Sequence, residues 1–211
     1  MTSKGEAELN YWLDRFHDEN GKFVNYHYEY FYTEYFNLTK EFYANKRILD
    51  IGCGPRGSLE WADNALAKIG LDPLSNEYMK FGIMNLTMTY VCGGSENIPF
   101  PDNYFDVITS LNSIDHVDDL DMTIEQIKLK LRPKGLFLLM TEVGHEPTPT
   151  EPISFEWDIV SKFEPELELV SERHYEKLSE AGIYGVRDFP QYDHGNPARR
   201  YGILSAEFTK K

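Results

Sequence analysis

The chain has 211 residues, enough to bury one substantial core, and fits a single α/β domain with a modest helical extension better than two domains. Its 41% hydrophobic content is ordinary for a water-soluble protein, and no apolar run approaches the ~18 residues of a membrane span. A formal net charge of −14, with no stripe of Lys or Arg, repels a phosphate backbone and argues against nucleic acid as a partner.

The first residues, Met1-Thr2-Ser3-Lys4-Gly5-Glu6, show no apolar signal region and include an acid that a mitochondrial transit peptide avoids, so a cytoplasmic location is expected. Cys53 and Cys92 are too few for a disulfide framework and read as free thiols.

From Glu6 to Glu19 the spacing of Leu9, Trp12, Leu13 and Phe16 predicts an amphipathic helix with acids on its outer face. A second helix is predicted from Asn25 to Ala44, where Tyr28, Phe31, Tyr32, Tyr35, Leu38 and Phe42 form one face. That face suits a packed core stripe better than an aromatic lid over substrate, although it could also pack on a second subunit as a homodimer. Residues 1–45 are thus read as a helical cap.

At Lys46 the pattern changes to short apolar runs alternating with amphipathic stretches, which points to βαβ units and a parallel sheet. Strands are predicted at 47–51, 68–71, 89–92, 105–110 and 136–141, and helices at 58–67, 75–81 and 118–131. Arg132-Pro133-Lys134-Gly135 should stop the last helix and turn into the fifth strand. Residues 46–141 form this core. Residues 142–211 hold a long polar loop, a short helix near 155–163, and two closing strands at 167–174 and 201–208.

Between the first strand and the following segment lies Gly52-Cys53-Gly54-Pro55-Arg56-Gly57, a G-x-G-x-x-G loop that lets backbone approach a ligand closely. Asp72 ends the second apolar run 20 residues after Gly52, where a carboxylate can accept both hydroxyls of a ribose. Both features suit a nicotinamide dinucleotide as well as other nucleoside cofactors, and Asp72 could instead cap the turn Asp72-Pro73-Leu74-Ser75.

Taken together, Asp50-Ile51-Gly52-Cys53-Gly54, Gly70-Leu71-Asp72-Pro73, the run from Glu96 through Pro99-Phe100-Pro101-Asp102 to Phe105-Asp106, and Leu131-Arg132-Pro133-Lys134-Gly135 resemble the class I S-adenosylmethionine-dependent methyltransferases, in their small-molecule, type 11-like group. The resemblance runs from about Lys46 to Met140. It implies a Rossmann-like, mostly parallel seven-stranded sheet in the order 3-2-1-4-5-7-6, with strand 7 antiparallel and helices on both faces. It also implies S-adenosylmethionine as cofactor and S-adenosylhomocysteine as product. By the same resemblance Asp50 orients the methionine end, Gly52, Cys53 and Gly54 line its path, and Asp72 holds the ribose. Pro73 and Leu74 pack beside the adenine, Ser95 and Glu96 lie at its amino group, and Asn112 contacts the methionine portion. Ser95 departs from the acid that the family often carries there. Asn112-Ser113-Ile114 lacks the Pro-Pro-aromatic of amino-methylating DNA enzymes, in keeping with the charge.

The expected reaction is methyl transfer to an oxygen or nitrogen of a small polar molecule, such as a sugar or secondary metabolite. A cofactor-binding protein without chemistry and a nicotinamide-dependent oxidoreductase are the competing readings. An acceptor hydroxyl would profit from a base, and His116 and His145 follow the fourth and fifth strands on the substrate side. His174 and His194 are weaker candidates, the latter in the loop Tyr192-Asp193-His194-Gly195, where local hydrogen bonds explain Asp and His equally well. Asp115, His116 and His145 show no short ligand pair with metal spacing, so no metal is expected.

Overall fold

The structure is a computed structural model that describes residues 2–178, 182–198 and 200–211. One sheet of seven strands organises it: β1 (Arg47–Ile51), β2 (Ala67–Asp72), β3 (Thr89–Cys92), β4 (Phe105–Leu111), β5 (Leu131–Val143), β6 (Leu167–Glu176) and β7 (Gly202–Lys210). Their order is β3-β2-β1-β4-β5-β7-β6. The pairs β1–β2, β1–β4, β2–β3 and β4–β5 are parallel, and β7 runs antiparallel to both β5 and β6. The central strand β4, Phe-Asp-Val-Ile-Thr-Ser-Leu, is buried along its whole length, as a strand covered on both faces must be. The edge strand β6 is buried only at Leu167 and otherwise half-buried or exposed, and its charged side chains discourage pairing with another chain.

Alternation along the strands divides the core in two. Leu49, Ile108, Phe137 and Leu139 pack with Ile124 and Ile127 of α3 (Leu120–Lys130) and with Phe155 and Phe163. Ile48, Val107, Leu138 and Met140 turn the other way, onto Tyr28, Phe31, Tyr32, Phe36 and Tyr43. The aromatic stripe is therefore core, as its spacing suggested, although it is not one helix. It breaks into α2 (Tyr28–Tyr32) and two short 3-10 turns, at Glu34–Phe36 and Lys40–Tyr43. Thr33 takes ψ −97° and Asn37 a left-handed φ of 57°, and the many Tyr, Phe and Thr residues are weak helix formers that sheet packing can override.

Other boundaries also move. The helix expected at 58–67 is absent: the segment runs in turns, with Ala62 N–H donating to the Leu59 carbonyl and the Trp61 indole donating to the Ser58 carbonyl. Asn64 there accepts from Asn45 N–H, which ties the turns to the start of β1. The N-terminal aromatic segment covers the sheet face that a longer helix would otherwise occupy. The helix expected at 75–81 is a 3-10 turn, Glu77–Phe81, and the one at 155–163 is Trp157–Phe163. Residues 132–135, expected as a turn, form an irregularity within β5: pairing jumps from Phe105–Leu131 to Val107–Leu136, and Lys134 takes φ 62°.

The N-terminal helix α1 (Ser3–Asp18) begins at Thr2, whose hydroxyl accepts from Gly5 N–H as an N-cap. No helix among the described residues is long and apolar enough to cross a membrane.

Candidate active site

A cavity of about 710 Å³ opens at the carboxyl ends of β1, β2, β4 and β5, the position where open α/β sheets bind ligands. Asp50 and Ile51 reach it from β1, Leu71 and Asp72 from β2, Leu111 from β4 and Glu142 from β5. The loop after β1 is built for close approach. Gly52 has φ 67° and Gly54 φ 58°, left-handed values that disfavour any side chain. A Cβ on Gly52 would stand 2.3 Å from Ser113 Cβ, and one on Gly54 would stand 2.8 Å from the Trp12 ring.

Hydrogen bonds lock this loop to its neighbours. Gly52 N–H donates to the Leu71 carbonyl at 2.8 Å, and Ser113 Oγ donates to the Ile51 carbonyl at 2.6 Å. Asp72 accepts from Gly54 N–H at 3.1 Å on Oδ2 and from Leu74 N–H at 2.9 Å on Oδ1. The capping role and the ligand-facing position thus coexist, because each carboxylate oxygen keeps a further lone pair and Asp72 lines the cavity.

Asp50 is almost fully buried and accepts three hydroxyl hydrogen bonds: Tyr32 at 2.9 Å and Ser58 on Oδ2, and Thr109 at 2.6 Å on Oδ1. Burial pushes its carboxyl up to about 6, against the pull of those hydroxyls. Asp72 also rises to about 6, by burial, with the Leu74 N–H opposing and the Glu8 carboxylate adding to the rise.

Asn112 follows β4 with φ 59°, and its buried Oδ1 has no hydrogen-bond partner although the residue lines the cavity. Ser95 and Glu96 line it too, yet their side chains are engaged elsewhere. Ser95 Oγ pairs with Thr123 Oγ1 at 2.9 Å, and Glu96 accepts from Asp118 N–H and Asp119 N–H at the start of α3. Cys53, Pro73 and Leu74 complete the wall around the loop.

Helix α1 spans the mouth of the cavity and brings residues that sequence spacing could not connect to the loop. Trp12 sits over Gly54, and Lys4, Glu8 and Tyr11 face the interior. At one end of α1, Lys4 pairs with Asp118 at 2.8 Å and donates to the His116 carbonyl. Beyond its other end, Glu19 pairs with Arg56 of the glycine loop, and the Arg56 guanidinium lies 4.7 Å over the Phe23 ring. Tyr28 and Tyr32 line the cavity from the aromatic segment, and Tyr184 from the final excursion.

The two candidate histidines are separated by the fold. His116 stands on the cavity wall; His145 is buried and is not among the lining residues. Both face Asp115, whose oxygens lie 3.9 Å from His116 Nε2 and 3.9 Å from His145 Nε2. His116 also faces Glu8 at 3.5 Å and Glu151 at 3.8 Å. Burial pulls the His116 imidazole down, but Glu8, Asp115 and Glu151 outweigh it and raise the pKa to about 9, so the ring holds a proton at neutral pH. Burial raises Asp115 to about 6. Glu151, Glu142 and Lys177 were not singled out by sequence; only the position of Glu142 at a strand end could have drawn notice. Lys177 binds both Glu142 oxygens, at 2.6 and 2.5 Å. His174 and His194 pair with each other at 2.8 Å, away from the cavity, and Asp193 closes a local turn onto Gly195 N–H.

Residues 49–139 match the model of a methyltransferase domain. Over 89 residues the chain is 34% identical to the ubiquinone/menaquinone biosynthesis C-methyltransferase UbiE of Shewanella frigidimarina, covering 41% of this chain and 34% of that protein. Over 93 residues it is also 34% identical to a mitochondrial arginine-hydroxylase of Rattus norvegicus, covering 43% of this chain and 27% of that protein. The match thus spans about a third of these relatives' own length. Among solved structures, a putative S-adenosylmethionine-dependent methyltransferase from Listeria monocytogenes superimposes with a TM-score of 0.56 at 15% identity, over 80% of this chain and 92% of that one. The [4+2]-cyclase SpnF superimposes at 0.57 with 18% identity, over 79% and 76%. Sheet order and structural likeness agree: residues 49–139 are similar to a methyltransferase domain, and the chain takes the same fold as the solved S-adenosylmethionine-dependent methyltransferase.

Proposed function

We propose that this chain binds S-adenosylmethionine in the crevice at the carboxyl ends of β1, β2 and β4 and transfers its methyl group to an oxygen or nitrogen of a small polar molecule. The observation that carries the reading is the glycine cradle: left-handed backbone at Gly52 and Gly54 beside the cavity, fastened to Asp72 by the Gly54 N–H. The orphaned Oδ1 of Asn112 also fits a ligand, since a buried acceptor without a partner is costly unless a bound group donates to it.

Gly52, Cys53 and Gly54 would form the floor under the cofactor. Asp72 would accept from ribose hydroxyls through its remaining lone pairs, with Pro73 and Leu74 against the base. Asn112 and the Asp50 cluster would lie toward the amino-acid end. Ser95 and Glu96 would contribute backbone groups to the adenine contact, because their side chains already hold α3. When bound, the cofactor supplies a methyl group on a sulfonium centre that a lone pair can attack in line. The protein's part is to hold the acceptor on that line and to exclude water, and α1 is placed across the mouth for the second task.

The acceptor side is charged: Lys4, Glu8, His116, Glu151 and the Glu142–Lys177 pair face it. Such a wall favours a polar acceptor, with an oxygen or nitrogen as the methylated atom rather than the carbon named for the Shewanella relative. Glu151 is the carboxylate that would take an acceptor's polar hydrogen, the protonated His116 would donate a hydrogen bond to the acceptor, and His145 would act through Asp115 as a positioning residue.

Calorimetric titration with S-adenosylhomocysteine, with NAD as comparison ligand and Asp72→Ala as variant, tests the cofactor assignment. Binding of the first ligand only, weakened in the variant, is expected; preference for NAD, or no binding, would overturn it. Activity of His116→Ala and His145→Ala on polar amines and alcohols then tests the acceptor side, where the first variant should lose more than the second.

A further inference from the structure

We infer that Asp115, His116 and Glu151, with His145 beside them, form a binding site for one divalent first-row transition ion in the cavity wall. One donor atom from each of Asp115, His116 and Glu151 lies within 4.8 Å of the other two. Donors that share a zinc-like ion at about 2 Å each stand roughly 3 to 4 Å apart; the two separations from His116, 3.9 and 3.8 Å, lie at the long end of that range, and a small side-chain shift closes the three onto one ion. Their direct separations are too long for hydrogen bonds: 3.9 Å from Asp115 to His116 Nε2, and 3.8 Å from Glu151 to the same nitrogen.

The second observation is a set of buried polar atoms without hydrogen-bond partners. Both oxygens of Asp115, which is 1% exposed, both ring nitrogens of His116, and Nε2 of the 3% exposed His145 are in this state. They converge, because Asp115 faces His116 with one oxygen and His145 with the other. A buried carboxylate that makes no hydrogen bond is costly, and a cation between these groups satisfies it directly, taking the place of the His116 proton.

Both imidazoles are also turned as metal ligands are. His145 Nδ1 lies 3.0 Å from the Glu146 carbonyl, so donation there leaves the Nε2 lone pair toward Asp115. His116 Nδ1 faces the Glu8 carboxylate at 3.5 Å, again leaving Nε2 toward Asp115 and Glu151. For His145 the Glu146 carbonyl fixes the tautomer and orients the ring, as an outer acceptor does for a ligating histidine.

The backbone holds the two contributing segments together. Ile153 N–H donates to the Asp115 carbonyl, which pins the loop after β5 over the turn after β4, and Ser154 Oγ donates to the His145 carbonyl at 2.6 Å, which closes that loop on itself. An imidazole nitrogen with two carboxylates, and a second imidazole beside them, suit Zn, Mn, Fe or Co better than Mg or Ca, which prefer oxygen alone. His116 and Glu151 line the cavity, which gives the ion an entry path and leaves one side open to a ligand. The site stands independently of methyl transfer.

The test is calorimetric titration of the chelator-stripped chain with Zn²⁺ and, separately, Co²⁺, whose complex is also read by visible absorption. One ion per chain is expected, with the Co²⁺ bands of a mixed nitrogen and oxygen site. Affinity should fall by at least about tenfold in Asp115→Asn and in Glu151→Gln and stay unchanged in His174→Gln, which disrupts the surface pair with His194. Glu151 is partly exposed, so its variant keeps the test readable should Asp115→Asn fail to fold. A folded wild-type chain that takes up neither ion overturns the site. So does binding that His174→Gln abolishes, or that survives undiminished in Glu151→Gln.

Discussion

Replacing Tyr32 by Phe removes one of the three hydroxyls that hydrogen-bond Asp50 and leaves the ring in place in the core. The size of the loss depends on whether Asp50 is charged. A hydrogen bond to a charged group contributes about 1.5–3 kcal/mol and one between neutral groups about 0.5–1.5 kcal/mol. The Asp50 carboxyl is raised from 3.8 to about 6, chiefly by burial, while Ser58, Thr109 and Tyr32 hold it down. A folded pKa above the unfolded one means that the stability this group contributes is complete below 3.8 and is lost as pH rises through about 6. Without the Tyr32 hydroxyl the folded pKa climbs further, so the loss deepens on the alkaline side. The variant should therefore be destabilised by ~2 kcal/mol near pH 7.5 and by only ~1 kcal/mol near pH 4.5. Urea unfolding at both pH values, followed by tryptophan fluorescence and compared with wild type at equal m-value, reads the difference. Equal losses at the two pH values, or a larger loss in acid, would refute the role given to Tyr32.

Gly52→Ala forces a Cβ to 2.3 Å from Ser113 at φ 67°; a loss of about 2 kcal/mol or more in chemical denaturation is expected, together with loss of S-adenosylhomocysteine binding. Asn112→Gly keeps the left-handed backbone and removes an oxygen with no partner in the protein, so stability should change by less than about 1 kcal/mol while calorimetric affinity for S-adenosylhomocysteine falls roughly tenfold. Lys177→Met strands the buried Glu142 carboxylate and should cost about 3 kcal/mol, most of it recovered in the Lys177→Met, Glu142→Gln double variant; a thermal melt showing no recovery would deny that the pair is coupled.

The strand pattern was legible because buried parallel strands announce themselves as short apolar runs. Arg47–Ile51 and Thr89–Cys92 begin and end where the sequence placed them. Helices were harder. Residues 58–67 carry enough Ala and Leu to suggest a helix, but the chain spends them in turns, since the aromatic segment already fills that face of the sheet. Propensity is a local quantity, and this competition is not.

By itself the sequence determined the sheet-forming runs, the glycine loop and the acids near the ends of β1 and β2, because each is written in contiguous residues whose conformational needs are local: Gly52 and Gly54 at positive φ, Asp72 at a strand end. Only the tertiary structure decided what faces the cavity. It laid Trp12 over Gly54, aimed Tyr32 at Asp50, set His116 in the wall and His145 behind it, and brought Glu151 to both Asp115 and His116. These contacts join residues far apart in the chain, and their geometry follows from how the sheet orders its strands and how the covering segments pack, which no local pattern encodes.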